Sequence, residues 1–203
     1  MRPQSLEEFA GQEHLLGKEG LLGDLSRKGI IPSMIFWGEP GCGKTTLARI
    51  LARQLDYEMQ EISAVESGVR DLRRVIDQAK MMRSSGRKTI LFIDEIHRFS
   101  KSQQDALLHA VEDGTLTLIG ATTENPSFEV IPPLLSRARV MQFRPLSAED
   151  LEKILSRALD NDDRIRDMQV ELLPAARDSL IRFSGGDARI MLNALEIPAE
   201  LTD

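Results

Sequence analysis

One cysteine, one tryptophan, one tyrosine and no long uncharged run are the scarcities of this chain, and each excludes something. A single thiol, Cys42, cannot form an internal disulfide or build a Cys-rich zinc site, which points to a reducing, cytosolic setting. No stretch approaches about 18 uncharged apolar residues, so no membrane-spanning helix is expected. The start, Met1-Arg2-Pro3-Gln4-Ser5-Leu6-Glu7-Glu8-Phe9, lacks the apolar centre of a signal peptide, and the chain reads as soluble and not secreted. Seven Phe, one Tyr and one Trp, several of them in apolar runs, leave little for a base-stacking platform. A positive surplus is missing too. With 26 basic against 32 acidic residues the net charge is −6, so the whole chain is not an electrostatic nucleic-acid binder of the histone type.

What is present begins with Gly38-Glu39-Pro40-Gly41-Cys42-Gly43-Lys44-Thr45, which follows the apolar run Met34-Ile35-Phe36-Trp37 and opens the helix-like stretch Thr46-Leu47-Ala48-Arg49-Ile50-Leu51-Ala52. A nucleoside triphosphate cradle needs that order. The backbone must curl so that successive N–H groups face phosphate oxygens, which asks for small residues, and the positive end of a helix must follow. Lys44 reaches the β- and γ-phosphates in such a cradle, Thr45 ligates Mg²⁺, and Thr46 extends the first turn. The expectation is a chain that binds ATP or GTP.

At 203 residues the chain is long enough to bury about 70% of its unfolded surface, sufficient for an α/β domain plus a small helical one. Apolar runs near 33–37, 58–63, 88–93, 117–122 and 139–143 alternate with helical patterns near 43–55, 67–83, 100–112 and 128–136. That alternation predicts a parallel sheet with crossover helices. Ser100 and Gln103 form a capping box for a helix that Gly114 ends. After Pro145 the pattern changes: a capped helix from Ser147, an acidic loop Asp160-Asn161-Asp162-Asp163, and helices over 171–183 and 187–197. Residues 1–146 are thus expected as a nucleotide-binding α/β domain and 147–203 as an all-helical one.

The strand Thr89-Ile90-Leu91-Phe92-Ile93-Asp94-Glu95 ends in two carboxylates where a parallel sheet has its catalytic edge. Alternation keeps the two apart. Asp94 suits the metal with Thr45, and Glu95 suits polarising the attacking water. The run Leu116 to Thr123 reads as a neighbouring strand whose end offers Thr122 or Thr123 to the water or the γ-phosphate. Arg137 closes the helical segment before the last strand, and Arg189 opens a helix after Gly185-Gly186-Asp187. His97 lacks any partner spacing for a metal and reads as a packing or hydrogen-bonding residue. Ser63 is either a switch contacting Glu95 or an ordinary strand end, and Arg98 and Lys101 either face DNA or are solvated. Between Arg70 and Lys88 lie seven basic residues against two acidic ones. Two readings stay open there: a solvated helix face with local pairs, or a face that tracks phosphates.

Together these motifs resemble the AAA+ ATPases of the clamp-loader-like branch. Within it the chain is similar to the ATPase module of the replication-associated recombination protein A family, also called MgsA and related to the Werner-helicase-interacting ATPase. The strings behind the resemblance are Arg2-Pro3 with Leu6 to Gly17, Phe36 to Ala48, Asp94 to Asp105, and Gly120 to Phe128. The resemblance implies a P-loop fold with a five-stranded parallel sheet and flanking helices, followed by a small helical lid. It implies a sensor-one role for Thr123 or Thr122, an arginine finger in Arg137 and a sensor-two arginine in Arg189. It further places Arg2, Pro3 and Gln12 at an adenine-side box, which favours ATP over GTP. A finger acts on a neighbouring subunit's nucleotide and is worth about 10³–10⁵ in rate, so the isolated module is expected to be slow.

The family's setting adds further expectations: single-stranded or forked DNA as partner, replication and repair proteins such as single-strand binding protein, a homo-oligomer, and a cytoplasmic location at the nucleoid, or nuclear in a eukaryote. Family members continue into a C-terminal assembly region, and some eukaryotic relatives carry an N-terminal ubiquitin-binding zinc finger. Neither is in these 203 residues, so the chain reads as an ATPase core. Mg-ATP hydrolysis in fork maintenance, recombination and repair is the leading reading. A clamp-loader-like scaffold that binds nucleotide with little hydrolysis is the alternative, and Lys44, Asp94, Glu95 and Arg137 argue against it. A nucleoside kinase does not account for Glu95 or a trans-acting arginine.

Overall fold

The expected strands form as β1 (Met34–Trp37), β2 (Tyr57–Ser63), β3 (Lys88–Asp94), β4 (Thr117–Thr122) and β5 (Arg139–Gln142). All neighbours pair in parallel, in the order β2-β3-β4-β1-β5. Parallel neighbours need crossovers. The chain supplies them as α3 (Lys44–Gln54), α4 (Val69–Ser84), α5 (Lys101–Glu112), and the short α6 (Pro126–Glu129) and α7 (Pro132–Leu135). Two short helices, α1 (Glu13–Leu16) and α2 (Leu21–Arg27), precede β1. This computed structural model describes residues 2–64, 67–162, 165 and 172–200.

The chain divides into two compact units, one comprising Glu13–Gly38 and Lys44–Phe143, the other Met1–Gln12, Glu39–Gly43 and Arg144–Asp203. In this division the N-terminal segment and the middle of the glycine-rich loop group with the helical residues.

In the sheet unit the central strands are buried on both faces, so they read as continuous apolar runs. Ile35, Leu91, Ile93 and Leu118 share a core with Leu72, Val75 and Ile76 of α4 and Leu107 and Ala110 of α5. The alternate residues Met34, Phe36, Ile90 and Phe92 face the other way and are equally buried. Helix α3 buries Leu47, Ala48, Ile50 and Leu51 and touches β2, β3 and β4. Each such Leu, Ile or Phe contributes roughly 1.5–3 kcal/mol on burial.

The single helix expected over 128–136 is instead two four-residue helices. Val130 between them is extended, and Pro132 and Pro133 have no N–H to continue a helical ladder, so each piece restarts with a proline in its first turn.

The helical unit holds α8 (Ala148–Asn161), α9 (Pro174–Ser184) and α10 (Ala188–Glu200). Ser147 caps α8, accepting from Asp150 N–H at 3.1 Å and donating to Asp150 Oδ2 at 2.8 Å. Leu151, Leu155, Ala158, Met191 and Leu195 form its core. Asp160 and Asn161, expected in a loop, complete α8, and Asp163 lies outside the described residues. The helix expected from 171 begins at Pro174, where proline's fixed φ suits a first turn, and residue 171 is outside the described residues. Among the described residues no helix is long and apolar enough to cross a membrane.

Candidate nucleotide site

In the sheet unit the end of β1 is clamped on both sides. Gly38 N–H donates to the Thr122 carbonyl at 3.1 Å, and Phe143 N–H donates to the Trp37 carbonyl at 2.6 Å. The chain leaves the sheet at Gly38 and re-enters this unit at Lys44, the first residue of α3. The Lys44 ammonium donates to the Gly38 carbonyl at 2.6 Å, which ties the two ends of the glycine-rich turn together. Thr45 and Thr46 lie half-buried on the first turn of α3.

Strand β3 is not beside β1; β4 lies between them. The registers Trp37↔Thr122 and Ile93↔Gly120 bring the C-terminal ends of all three strands to one edge. Asp94 ends β3 exposed, opposite Ser63 of β2. Glu95 follows in a left-handed conformation, φ 54° and ψ 48°, which a non-glycine residue adopts at a cost of order 1–3 kcal/mol. The strand ends at Asp94, so the two acids are not the successive strand residues that alternation presupposes. Glu95 Oε2 is 2.6 Å from Arg98 Nε, in a pair whose side chains stay 41% and 55% exposed.

The two threonines closing β4 are in different situations. Thr122 is buried, accepts from Glu124 N–H at 2.9 Å, lies 3.2 Å from the Glu124 carbonyl and 3.1 Å from His97 Nδ1. Thr123 is exposed at the sheet edge. His97 therefore has the local hydrogen bond expected of it, and it links the turn after Glu95 to the end of β4.

Arg137 follows α7 and is folded back on its own chain. Its guanidinium donates to the Pro133 carbonyl at 2.8 Å and to Glu112 Oε1 at 3.0 Å.

In the helical unit the loop Glu39–Gly43 is shaped by two glycines with positive φ, Gly41 at 68° and Gly43 at 97°. A Cβ on Gly41 would come within 1.7 Å of Asp187 Oδ1, and one on Gly43 within 2.6 Å of the Phe9 ring. The loop thus lies directly against the N-terminal segment and the residue before α10. Asp187 caps that helix, accepting from Arg189 N–H at 2.7 Å and Ile190 N–H at 3.3 Å. Gln12 is buried with φ 61° and acts as a surrogate strand partner: its amide donates to the Arg144 carbonyl at 2.7 Å and accepts from Arg144 N–H at 2.9 Å. The same nitrogen reaches the Cys42 carbonyl at 3.5 Å, and the Cys42 thiol donates to the Glu39 carbonyl at 2.9 Å. Pro40 and Glu39 are exposed, as are Arg2 and Arg189, and Pro3 is half-buried.

Spacing alone did not reveal four of these relations: Arg98 with Glu95, His97 with Thr122, Gln12 with Arg144, and Asp187 with Gly41. Each joins groups whose positions depend on φ or on strand register. The (i, i+3) offset of Glu95 and Arg98 was the one readable signal.

Among the described residues no three His, Cys, Asp or Glu side chains converge to hold a metal ion unaided. The donors at the sheet edge, the Thr45 hydroxyl and the Asp94 carboxylate, are hard oxygens and few. That set fits a magnesium ion, which keeps several waters and takes other ligands from substrate phosphates.

The profile of the ATPase family associated with various cellular activities (AAA) matches residues 34–146. The replication-associated recombination protein A of Escherichia coli K12 is 48% identical over 204 residues, covering 100% of this chain and 46% of that protein. That of Coxiella burnetii is 51% identical over 201 residues, covering 98% and 45%. The chain thus spans about half the length of these curated relatives. Among solved structures, the Thermotoga maritima RuvB Holliday junction branch migration motor is 32% identical with a TM-score of 0.77, over 96% of this chain and 64% of that one. With the profile covering the strands, the glycine-rich turn and the paired acids just described, the chain belongs to the AAA family of ATPases.

Proposed function

We propose that this chain binds Mg-ATP and hydrolyses it as the ATPase module of a protein that remodels DNA or DNA-bound proteins during replication, recombination and repair. One observation carries the reading: the Lys44 end of the glycine-rich turn and the Asp94-Glu95 end of β3 share one sheet edge, with Thr123 exposed beside them. Backbone N–H groups of Glu39, Gly41, Cys42 and Gly43 cradle the phosphates, with Gly38 and the donorless Pro40 shaping the turn, and Lys44 exchanges the Gly38 carbonyl for a phosphate oxygen. Thr45 and Asp94 would hold Mg²⁺, which neutralises charge on the phosphate oxygens, and Thr46 supports that turn. Glu95 orients the attacking water and draws its proton. Thr123 donates to the γ-phosphate or the water, while Thr122 braces the strand end. Arg189 takes the sensor-two role and Arg137 acts on the nucleotide of a neighbouring copy. Arg2, Pro3 and Gln12 form the adenine side, with Gln12 fixing the loop from behind. DNA, and replication proteins such as single-strand binding protein, are the partners this reading proposes, following the names of the recombination protein relatives.

The test is paired. Lys44→Ala should weaken Mg-ATP uptake in calorimetry, whereas Glu95→Gln should retain uptake and lose phosphate release. Near-normal turnover in Glu95→Gln would refute the assignment of the acid. A second reading, a nucleotide-gated scaffold, draws support from the Glu95–Arg98 pair, which occupies the carboxylate. Tight ATP binding with no turnover, even at concentrations that force assembly, would favour it.

A further inference from the structure

We infer that the outer face of α4 is a docking surface for the sugar-phosphate backbone of a nucleic acid, taken up by Arg70, Arg73 and Arg74. The inference rests on the reading that the module acts on DNA and names the surface that holds it. Residues 70–88 carry seven basic against two acidic side chains, a local excess of five positive charges in a chain whose net charge is −6.

The structure separates this run into two halves. Toward its C-terminal end the charges are locally partnered: Lys80 lies 3.4 Å from Asp77, Arg83 3.8 Å from Asp113 and Arg87 2.7 Å from Glu58. Lys88 sits 5.4 Å from the centre of the Tyr57 ring. Toward its N-terminal end, among the described residues, Arg70 and Arg73 form no ion pair, and Arg74 is paired with Asp71 much as Lys80 is with Asp77, at 3.5 Å between side chains 71% and 45% exposed. The unpaired guanidiniums therefore lie toward the N-terminal half of the helix.

That half lines an open groove of about 520 Å³ bounded by Arg70, Arg73, Arg74, Asp77, Gln78 and Met81. Its lining selects the ligand class. Guanidinium forks match phosphate oxygens two at a time. The groove has no aromatic, so it offers neither a stacking platform for bases nor the buried aromatic anchor on which protein partners usually depend. Arg70 to Met81 covers about 16 Å of helix axis, room for a few consecutive phosphates of one strand. The support is rigid: Leu72, Val75, Ile76 and Ala79 bury the opposite face, and Gln103 Nε2 donates to the Ser67 carbonyl at 2.9 Å just before α4 begins. Binding of this kind is independent of sequence and strongly salt-dependent.

The experiment measures fluorescence anisotropy of a labelled 30-nucleotide single strand with the whole chain across a salt series. It compares the parent with Arg70→Ala/Arg73→Ala/Arg74→Ala and with Lys18→Ala/Lys28→Ala/Arg53→Ala, a control that removes three exposed charges elsewhere. Each phosphate contact contributes about 0.7 to the slope of log affinity against log salt. The α4 variant should lose about 2 from that slope and bind on the order of a hundredfold more weakly at 50 mM salt, while the control stays within a fewfold of the parent. Equal losses in both variants would reduce the effect to net charge and overturn the proposal, as would parent-like DNA binding by the α4 variant. Loss of polyglutamate binding with DNA binding intact would also overturn it, in favour of an acidic protein. Mg-ATP uptake, read by calorimetry in all three proteins, separates these failures from a failure of the ATPase reading, because none of the six residues belongs to the nucleotide machinery.

Discussion

Thr122→Val and Thr123→Val are nearly isosteric changes at adjacent positions, and they should part company completely. Thr122 is 1% exposed and its hydroxyl accepts the Glu124 N–H at 2.9 Å, so valine leaves that donor without its partner. Glu124 is itself exposed, so its N–H can turn to water and the loss is that of an ordinary hydrogen bond, about 0.5–1.5 kcal/mol, and for a chain of this size each kcal/mol lowers the melting temperature by about 2–4 °C. A drop of about 3 °C is expected, with turnover at 25 °C reduced only as far as the loosened strand end disturbs Thr123. Thr123→Val removes an exposed hydroxyl and should leave stability within about 0.5 kcal/mol. If Thr123 donates to the γ-phosphate or the attacking water in the transition state, turnover falls on the order of a hundredfold, the scale for losing one preorganised donor. Differential scanning calorimetry and phosphate release on the same preparations read both quantities. Abolished turnover with unchanged melting in Thr122→Val, together with parent-like turnover in Thr123→Val, would refute the division of labour.

Two further outcomes follow from the loop and the acid. Gly41→Ala combines a left-handed backbone, at about 1–2 kcal/mol for a side-chain-bearing residue, with a Cβ 1.7 Å from Asp187 Oδ1. Displacing Asp187 also removes a helix cap worth about 1 kcal/mol; Mg-ATP affinity measured by calorimetry should fall at least tenfold, and an unchanged affinity would show that the contact is dispensable. Arg98→Gln breaks an exposed pair, and exposed pairs are worth about 0–1 kcal/mol. Steady-state turnover should therefore rise by no more than about fivefold, less at high salt; a hundredfold rise would make Arg98 a true lock on Glu95.

Much of this arrangement was legible in the sequence because it depends on local periodicity. The five apolar runs gave five strands with ends displaced by a residue or so, most plainly the central β1, β3 and β4, which are buried on both faces and have little polar interruption to hide them. The glycine-rich turn and the paired acids were legible for the same reason: their chemistry requires fixed offsets along the chain. The region after β4 was misread because apolar content over 128–136 outweighed the two prolines that break it. Choosing between Thr122 and Thr123 required knowing where the strand stops, and one residue decides whether a hydroxyl points into the protein or out at the edge. Gln12 escaped as a structural residue because its partner, Arg144, is 132 residues away.

The contacts around the candidate site differ sharply in what it takes to undo them. Glu95 with Arg98 and Arg137 with Glu112 are exposed pairs of long side chains, each worth about 1 kcal/mol or less. A charge-assisted hydrogen bond to substrate is worth about 1.5–3 kcal/mol. On the proposed roles, a phosphate or a water under attack would therefore outcompete either pair, and neither pair would hold the chemistry off. The Gly41–Asp187 contact is of another kind. It is a close approach that leaves no room for a Cβ, at a backbone conformation that glycine adopts easily and against a carboxylate that simultaneously caps α10, so moving Asp187 aside costs that cap. A side chain at position 41 would therefore disturb the loop and the start of the helix bearing Arg189 together, and changes at Gly41 or Asp187 should be felt as loss of nucleotide affinity before they are felt as loss of rate.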